Sequence, residues 1–314
     1  MRAWVFPGQG SQSLGMGAGL TSDAARETFA EAARVLGWDL LQTCVLGPEE
    51  RLDSTEVTQP AVFTVGVAVA RTLQARDMEP DAVAGHSVGE FAALVAAGVL
   101  RFEDALAAVA ARAEAMRRAG RLHPGGMAAV VGLGLERIEE LCAATPGEVG
   151  PANVNAPEQV VISGENEALA EVAAAAKSEG ARVIRLKVSV AAHSALMRPA
   201  RDELAGVLSG LRASAPRVPV VSGVDGRAHE DAAELVALAV EGVTHAVRWI
   251  DCVRTLEAMG VDTFVEVGPG RVLSGLIRRI APVANTLQVA DDEAVNALLD
   301  GPPVVVGGGH GHVG

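Results

Sequence analysis

Apolar residues along the chain fall into short strand-like runs separated by longer stretches with helical spacing. Arg2 to Phe6 reads as a strand that ends at the glycine-rich segment Gly8-Gln9-Gly10-Ser11-Gln12. Ala24 to Leu36 and Ala61 to Arg76 read as helices, and the second is apolar on nearly every side, the pattern of a buried helix. Asp81 to Gly85 is a short strand. Helices over Val88 to Ala97 and Phe102 to Ala119 follow, the second closed by Gly120. Strands alternating with helices at this spacing predict an α/β fold with a parallel sheet.

The middle of the chain changes rhythm. Strands at Met127 to Gly132, Ala152 to Val154, Gln159 to Ser163 and Ala181 to Ser189 enclose helices at Leu135 to Ala144 and Glu165 to Ser178. That order, β-α-β-β-α-β, is ferredoxin-like. The expected organisation is a main domain of residues 1–122 and 192–290 with a small ferredoxin-like insert of 123–191. A C-terminal segment, 291–314, ends in the low-complexity tail GPPVVVGGGHGHVG. Within the main domain the α/β rhythm resumes after the insert. Helices are expected at about 195–209, 231–241 and 250–259, then a strand at Thr263 to Val267 and a last helix ending near Ile280.

Composition narrows the functional classes. The chain has 314 residues, 49% of them hydrophobic and 21% charged, which is globular and not disordered. A net charge of −13 argues against nucleic acid or an anionic membrane as the main partner, since both demand a positive surface. The longest apolar run, Pro60 to Ala70, stops at Arg71, well short of the ~20 residues of a spanning helix. The N-terminus turns polar at Gly8-Gln9, too early for a signal peptide. Cys44, Cys142 and Cys252 are odd in number and in no metal spacing, and His310 and His312 on a glycine tail are weak ligands. A soluble, cytoplasmic, monomeric protein without a metal or other cofactor is expected.

The sharpest chemical signal is Gly85-His86-Ser87-Val88-Gly89 between a strand and a helix. A tight strand-to-helix turn needs glycines, and it presents its serine at the helix N-terminus. There the Val88 N–H points at an oxyanion formed on an acyl group carried by Ser87, and the helix dipole favours that anion. A serine nucleophile needs a base. Of the seven histidines, His193 stands where the chain returns from the insert to the main body, a junction at which a cleft forms. His229 and His245 lie in polar segments and read as solvated. Acidic residues are too plentiful for spacing to choose a third member, and a carbonyl or amide would serve as well.

Six segments in order extend this reading: Phe6 to Gln12, Thr58-Gln59-Pro60-Ala61, Gly85 to Glu90, Asn153-Val154-Asn155-Ala156-Pro157, Val188 to Met197 and Val265 to Gly270. With them the chain resembles the malonyl-CoA:acyl carrier protein transacylases of fatty acid synthesis and the related acyltransferase domains of polyketide synthases, over about residues 1–285. The resemblance implies an α/β-hydrolase-like main domain, Ser87 as the acylated nucleophile and His193 as its base. It implies an oxyanion hole from the N–H groups of Gln9 and Val88. Arg112 would hold the free malonyl carboxylate, with Asn155, Gln59 and His86 also at the substrate. A planar fork of donors suits a carboxylate better than a point-like ammonium does.

The chain departs from the pattern twice. Arg248 stands where many relatives have a glutamine that helps orient the histidine, which leaves Arg248 as a candidate for that task. Ala192 precedes the histidine where malonyl-selective polyketide domains often have phenylalanine, leaving room for a methyl branch. The implied reaction moves a malonyl group from malonyl-CoA to a carrier-protein thiol; a serine hydrolase with the same serine turn is the rival. An acidic carrier protein would need local positive charge on this acidic chain. Arg182, Arg185, Lys187, Arg278 and Arg279 form a candidate basic rim, and Arg117, Arg118 and Arg121 follow the Arg112 helix.

Overall fold

The computed structural model describes residues 1–188 and 190–300. The chain runs β1 (Arg2–Phe6), α1 (Asp23–Leu36), α2 (Leu40–Leu46), α3 (Glu49–Leu52), α4 (Thr55–Gln74), β2 (Ala82–Gly85), α5 (Gly89–Ala96) and α6 (Phe102–Leu122). It continues through β3 (Gly125–Val131), α7 (Leu135–Ala144), β4 (Val149–Ala156), β5 (Gln159–Glu165), α8 (Asn166–Ser178) and β6 (Arg182–Arg185). After a 3-10 turn at Ala195–Met197 come α9 (Arg198–Ser209), β7 (Val220–Val221), β8 (Ala228–His229), α10 (Ala232–Glu241) and α11 (Trp249–Ala258). β9 (Thr263–Val267), α12 (Val272–Ile280), β10 (Asn285–Val289) and α13 (Asp292–Leu299) complete it.

Six strands form one sheet in the order β10-β9-β1-β2-β7-β8, parallel except for the β7–β8 pair. Its central strands β1, β2 and β9 are buried on both sides, as parallel strands covered by helices must be. Trp4, Phe6, Phe63, Phe91 and Phe102 are almost fully buried in the main core, each stabilising the fold by roughly 1.5–3 kcal/mol relative to exposure. β1 and β2 pair in register with Phe6 opposite Gly85, so the loops after these two strands leave the sheet side by side. That crevice beyond the carboxyl ends of parallel strands is where α/β proteins place their sites.

The insert is a four-stranded antiparallel sheet ordered β4-β5-β3-β6, and with α7 and α8 it has the ferredoxin-like arrangement expected from the sequence. Period-two alternation along β3 sends Ala128 and Val130 towards α7 and α8, and Met127 to the opposite face with Ala152 and Val161. That second face also meets Leu186, Val188 and Ala192, so one side of the insert is a wall of the cleft.

Several local expectations are corrected. The strand expected to reach Ser189 ends at Arg185 (Ser189 itself lies outside the described residues), and Leu186 and Val188 line a pocket instead. α4 starts at Thr55, ahead of Pro60, because burial of nearly its whole length outweighs the residue-before-proline preference. The chain does not finish at the helix ending in Ile280: β10 adds an edge strand and α13 docks back. Asp292 Oδ2 accepts from the Thr21 and Ser22 N–H groups at 2.7 and 2.8 Å, which ties α13 to the start of α1. The tail with His310 and His312 lies outside the described residues. Among those described, no helix is long and apolar enough to cross a membrane, and no cluster of potential metal ligands occurs.

Candidate active site

Ser87 sits between β2 and α5 with φ +55°, a left-handed backbone that costs a non-glycine residue of order 1–3 kcal/mol. The turn is possible because of its flanking glycines. A Cβ on Gly85 would lie 2.1 Å from the Glu90 nitrogen, and one on Gly89 2.2 Å from the Phe6 oxygen. Gly8, on the neighbouring loop, is equally constrained: its Cβ would stand 2.5 Å from the His86 oxygen. The three glycines let the β1 loop pack directly on the serine turn. Gln9 and Val88 therefore line one pocket with Ser87. Among the described residues neither their backbone N–H groups nor any other protein atom form a mutual hydrogen bond that would occupy those donors.

His193 reaches Ser87 from the other side, its Nε2 2.9 Å from Oγ. It too is left-handed, with φ +62°; these two are among four non-glycine residues of positive φ described. The imidazole is 5% exposed. Its Nδ1 lies 2.7 Å from the Gly242 carbonyl and 3.0 Å from that of His245. Two carbonyl acceptors require Nδ1 to carry the proton, so Nε2 presents a lone pair to the serine hydroxyl. Burial, the Arg112 charge and the His86 ring together push the imidazole down to about 3, with the carbonyls opposing. A neutral imidazole is thereby held against the Ser87 hydroxyl.

Arg112, on α6, is 3% exposed. One guanidinium nitrogen donates to Gln59 Oε1 and another lies 3.4 Å from Ser87 Oγ. Burial brings its proton affinity down to about 10, still a cation at neutral pH, with Glu90 acting to hold the charge. Gln59 in turn donates to Met116 Sδ at 3.6 Å. His86 Nε2 is 2.8 Å from Asn155 Oδ1 while its ring meets Trp249 edge-on, and burial lowers its affinity for a second proton. Gln9, Gln59, His86, Ser87, Val88, Arg112 and His193 face a pocket of about 90 Å³ that opens to solvent. Met116, Met127, Asn153, Leu186, Val188, Val190 and Ala192 complete its lining. Asn155 is one bond removed, holding His86.

Arg248 does not orient the histidine. Its Nε donates to Asp251 at 2.7 Å on the exposed start of α11, and the backbone carbonyls of Gly242 and His245 do the orienting. Sequence reasoning had no route to them, because a carbonyl leaves no residue signature. Glu90 was missed as well, although a lone acid in the apolar run of α5 is a legible signal. It is buried, accepts from Ser222 Oγ at 2.7 Å, and shares a small inner cavity with Ser87, Arg112 and His193. Burial pushes its carboxyl up to about 7, against Ser222, the Gly223 N–H and Arg112. His229, expected to be solvated, is buried between Asp225 and Glu234 at 3.0 and 3.2 Å.

The basic clusters differ in kind. Arg117 and Arg118 are paired with Glu114 and Glu203. Arg278 donates to Thr286 at 2.9 Å, and Arg279 bridges from α12 to Gln159 and the Pro157 carbonyl of the insert. Arg182, Arg185 and Lys187 are exposed at the β6 edge, Arg185 on Asn166. Arg121 and Lys187 line a groove of about 690 Å³ that shares Leu186 and Val188 with the Ser87 pocket, alongside Asp53 and Glu56.

A serine on a glycine-flanked strand-to-helix turn, with a carbonyl-oriented histidine 2.9 Å from its hydroxyl at an α/β crevice, is the arrangement of one class: serine-dependent acyl transfer enzymes. Residues 3–299 match the acyl transferase domain family, and the chain belongs to that family. It is 43% identical over 303 residues to the malonyl CoA-acyl carrier protein transacylase of Salmonella typhimurium, covering 95% of this chain and 98% of that one. The solved transacylase of Coxiella burnetii superposes with a TM-score of 0.92 at 40% identity, covering 95% and 96% of the two chains. A malonyl-transacylase solved in complex with a type II polyketide acyl carrier protein superposes with a TM-score of 0.92 at 42% identity, covering 95% and 99%.

Proposed function

We propose that the protein transfers a malonyl group from malonyl-CoA to the phosphopantetheine thiol of an acyl carrier protein, supplying extender units for fatty acid synthesis. The observation that carries this reading is Arg112, a buried cation whose fork opens beside the nucleophile. A hydrolase acting on neutral esters has no use for it. In the forward half-reaction His193 Nε2 takes the Ser87 proton as Oγ attacks the thioester carbon. The Gln9 and Val88 N–H groups receive the oxyanion, worth typically 10²–10³ in rate per donor. Collapse breaks the C–S bond, and His193 returns the proton to the departing CoA thiolate. The carrier thiol then repeats the sequence on the Ser87 ester, with His193 again as base. These steps require no metal or redox group.

The groove past Arg121 and Lys187 suits the long pantetheine arm, and the exposed Arg182, Arg185 and Lys187 suit an acidic carrier surface. Arg278 fits such a rim less well, and Arg279 is already committed to the domain junction. A monomer in the cytoplasm, where carrier and CoA ester are found together, completes the proposal. The deciding experiment incubates enzyme and malonyl-CoA with and without carrier protein. Malonylated carrier is expected. Rapid free malonate with no malonylated carrier overturns the transferase reading in favour of a hydrolase.

Two observations favour a second reading, extender supply to polyketide synthesis with malonyl- or methylmalonyl-CoA. The pocket wall at residue 192 is only alanine, and one structural relative was solved with a polyketide carrier protein. Competing the two CoA esters for one enzyme sample separates the readings.

A further inference from the structure

Arg112 has an electrostatic relation to His193 that a carboxylate clamp alone does not require. Its guanidinium donates to Gln59 and Ser87, both neutral; among the described residues no carboxylate pairs with it directly, and Glu90 acts on it only at longer range. Ser87 Oγ is at the same time 2.9 Å from His193 Nε2. A single hydroxyl oxygen therefore separates a buried cation from the base that must itself become a cation during attack, in surroundings that screen charge poorly. The other groups facing the imidazole do little to offset this. His86 approaches from the turn after β2, and the half-exposed His245 ring turns away to Glu241. Glu90, from α5, is the one acid in the inner cavity, and burial raises its carboxyl to about 7, so that it carries only part of a charge near neutral pH.

We propose that the acyl group's own carboxylate completes the general base: docked on Arg112, it cancels the guanidinium charge and lets His193 accept the Ser87 proton. This rests on the malonyl-transfer reading and deepens it. Selection against neutral acyl groups then acts on the chemical step as well as on binding. An acetyl thioester reaches the same serine but leaves the Arg112 charge facing the imidazole. The bonds made and broken are the same for both substrates: Oγ–C forms, C–S breaks, and the proton passes from Oγ through Nε2 to the CoA sulfur. Only the stability of the intermediate imidazolium differs.

The test restores the missing charge in trans. Acetyl-CoA differs from malonyl-CoA by one carboxylate, and formate is that carboxylate as a free ion. Single-turnover release of CoA from acetyl-CoA by excess enzyme is measured with rising formate, against chloride at equal ionic strength. Formate is expected to accelerate acetylation of Ser87 by about tenfold at saturation, from ordinary Brønsted sensitivity to the base. In Arg112→Gln the formate effect should vanish, and acetylation without formate should exceed that of the unaltered enzyme. No acceleration in the unaltered enzyme, or equal acceleration in Arg112→Gln, overturns the inference. Malonyl-CoA run in parallel separates the levels of failure. Fast malonylation with no formate effect on acetylation removes only this inference, whereas no CoA release from malonyl-CoA removes the parent reading too.

Discussion

Ser87 and His193 share a left-handed backbone and meet across one hydrogen bond, but the chain holds them there by different means. The serine is fixed by its neighbours. Gly85 and Gly89 allow backbone to pass within 2.1–2.2 Å of where their side chains would be, and the strand and helix on either side follow directly in sequence. The histidine is fixed from afar, by carbonyls some fifty residues downstream that accept hydrogen bonds from its Nδ1–H. A nucleophile has to be exposed at a defined point, which local sterics can provide. A base has to be neutral, of one tautomer and turned one way, which only surrounding dipoles can impose.

The strongest way to break this pairing is to remove the nucleophile. Ser87→Ala should reduce malonyl transfer by at least about 10⁴-fold, as loss of a nucleophile does elsewhere, and intact-mass measurement should find no malonyl increment. An adduct persisting on another residue would refute the assignment. The local half is next. Gly85→Ala should cost about 3 kcal/mol or more, because the clash is with backbone that cannot yield cheaply. Urea unfolding would show this as a lower midpoint at unchanged slope; a midpoint within error of the unaltered protein would deny the steric account.

The distant half predicts a pH profile. A base is lost as pH falls through its pKa, and burial, Arg112 and His86 place that of His193 at about 3. kcat/KM for malonyl-CoA, which reports the free enzyme, should therefore show no histidine limb near 6.5 and stay level down to about pH 5. A limb at 6–7 would mean that the imidazole is less shielded than its 5% exposure indicates. Arg112→Ala should lower kcat/KM for malonyl-CoA by about 10²-fold, the loss of a charge-assisted pair of hydrogen bonds. Acetyl transfer should survive or improve. Equal loss on both substrates would make Arg112 a folding residue.

The same division explains what could be read from the chain. The α/β order, the insert's β-α-β-β-α-β pattern and the serine turn are local patterns, and they were legible. Arg112 is legible only through the resemblance to the transacylase family, since an arginine on a helix is by itself more often solvated. What escaped depends on remote packing. β7 and β8 are two residues long and exist through pairing with β2 and with each other. α13 is anchored by Asp292 on the start of α1. His229 looked solvated because Asp225 and Glu234 meet it only after the β7–β8 hairpin closes. Its pKa lies above the ordinary histidine value because burial, which lowers it, is outweighed by the hydrogen bonds and charges of Asp225 and Glu234 together.

Arg248 gives the smallest effect and the finest test of the contrast. Were a side chain at this position needed to turn His193, its removal would lower kcat severalfold through a misdirected imidazole. The geometry assigns that work to the Gly242 and His245 carbonyls, and the Arg248 backbone N–H, at 2.7 Å from the Gly223 oxygen, survives any substitution except proline. What Arg248→Ala removes is an ion pair with Asp251 in which the two side chains are 53% and 36% exposed. Pairs of that exposure are worth about 0–1 kcal/mol and weaken with salt. The expected result is a small loss of stability, smaller still in 1 M salt, with kcat for malonyl transfer within about twofold of the unaltered enzyme, inside the scatter of a neutral surface change. A tenfold fall in kcat at unchanged stability would show that the histidine is held through its side-chain neighbours after all, and the distinction between the two halves of the pair would have to be redrawn.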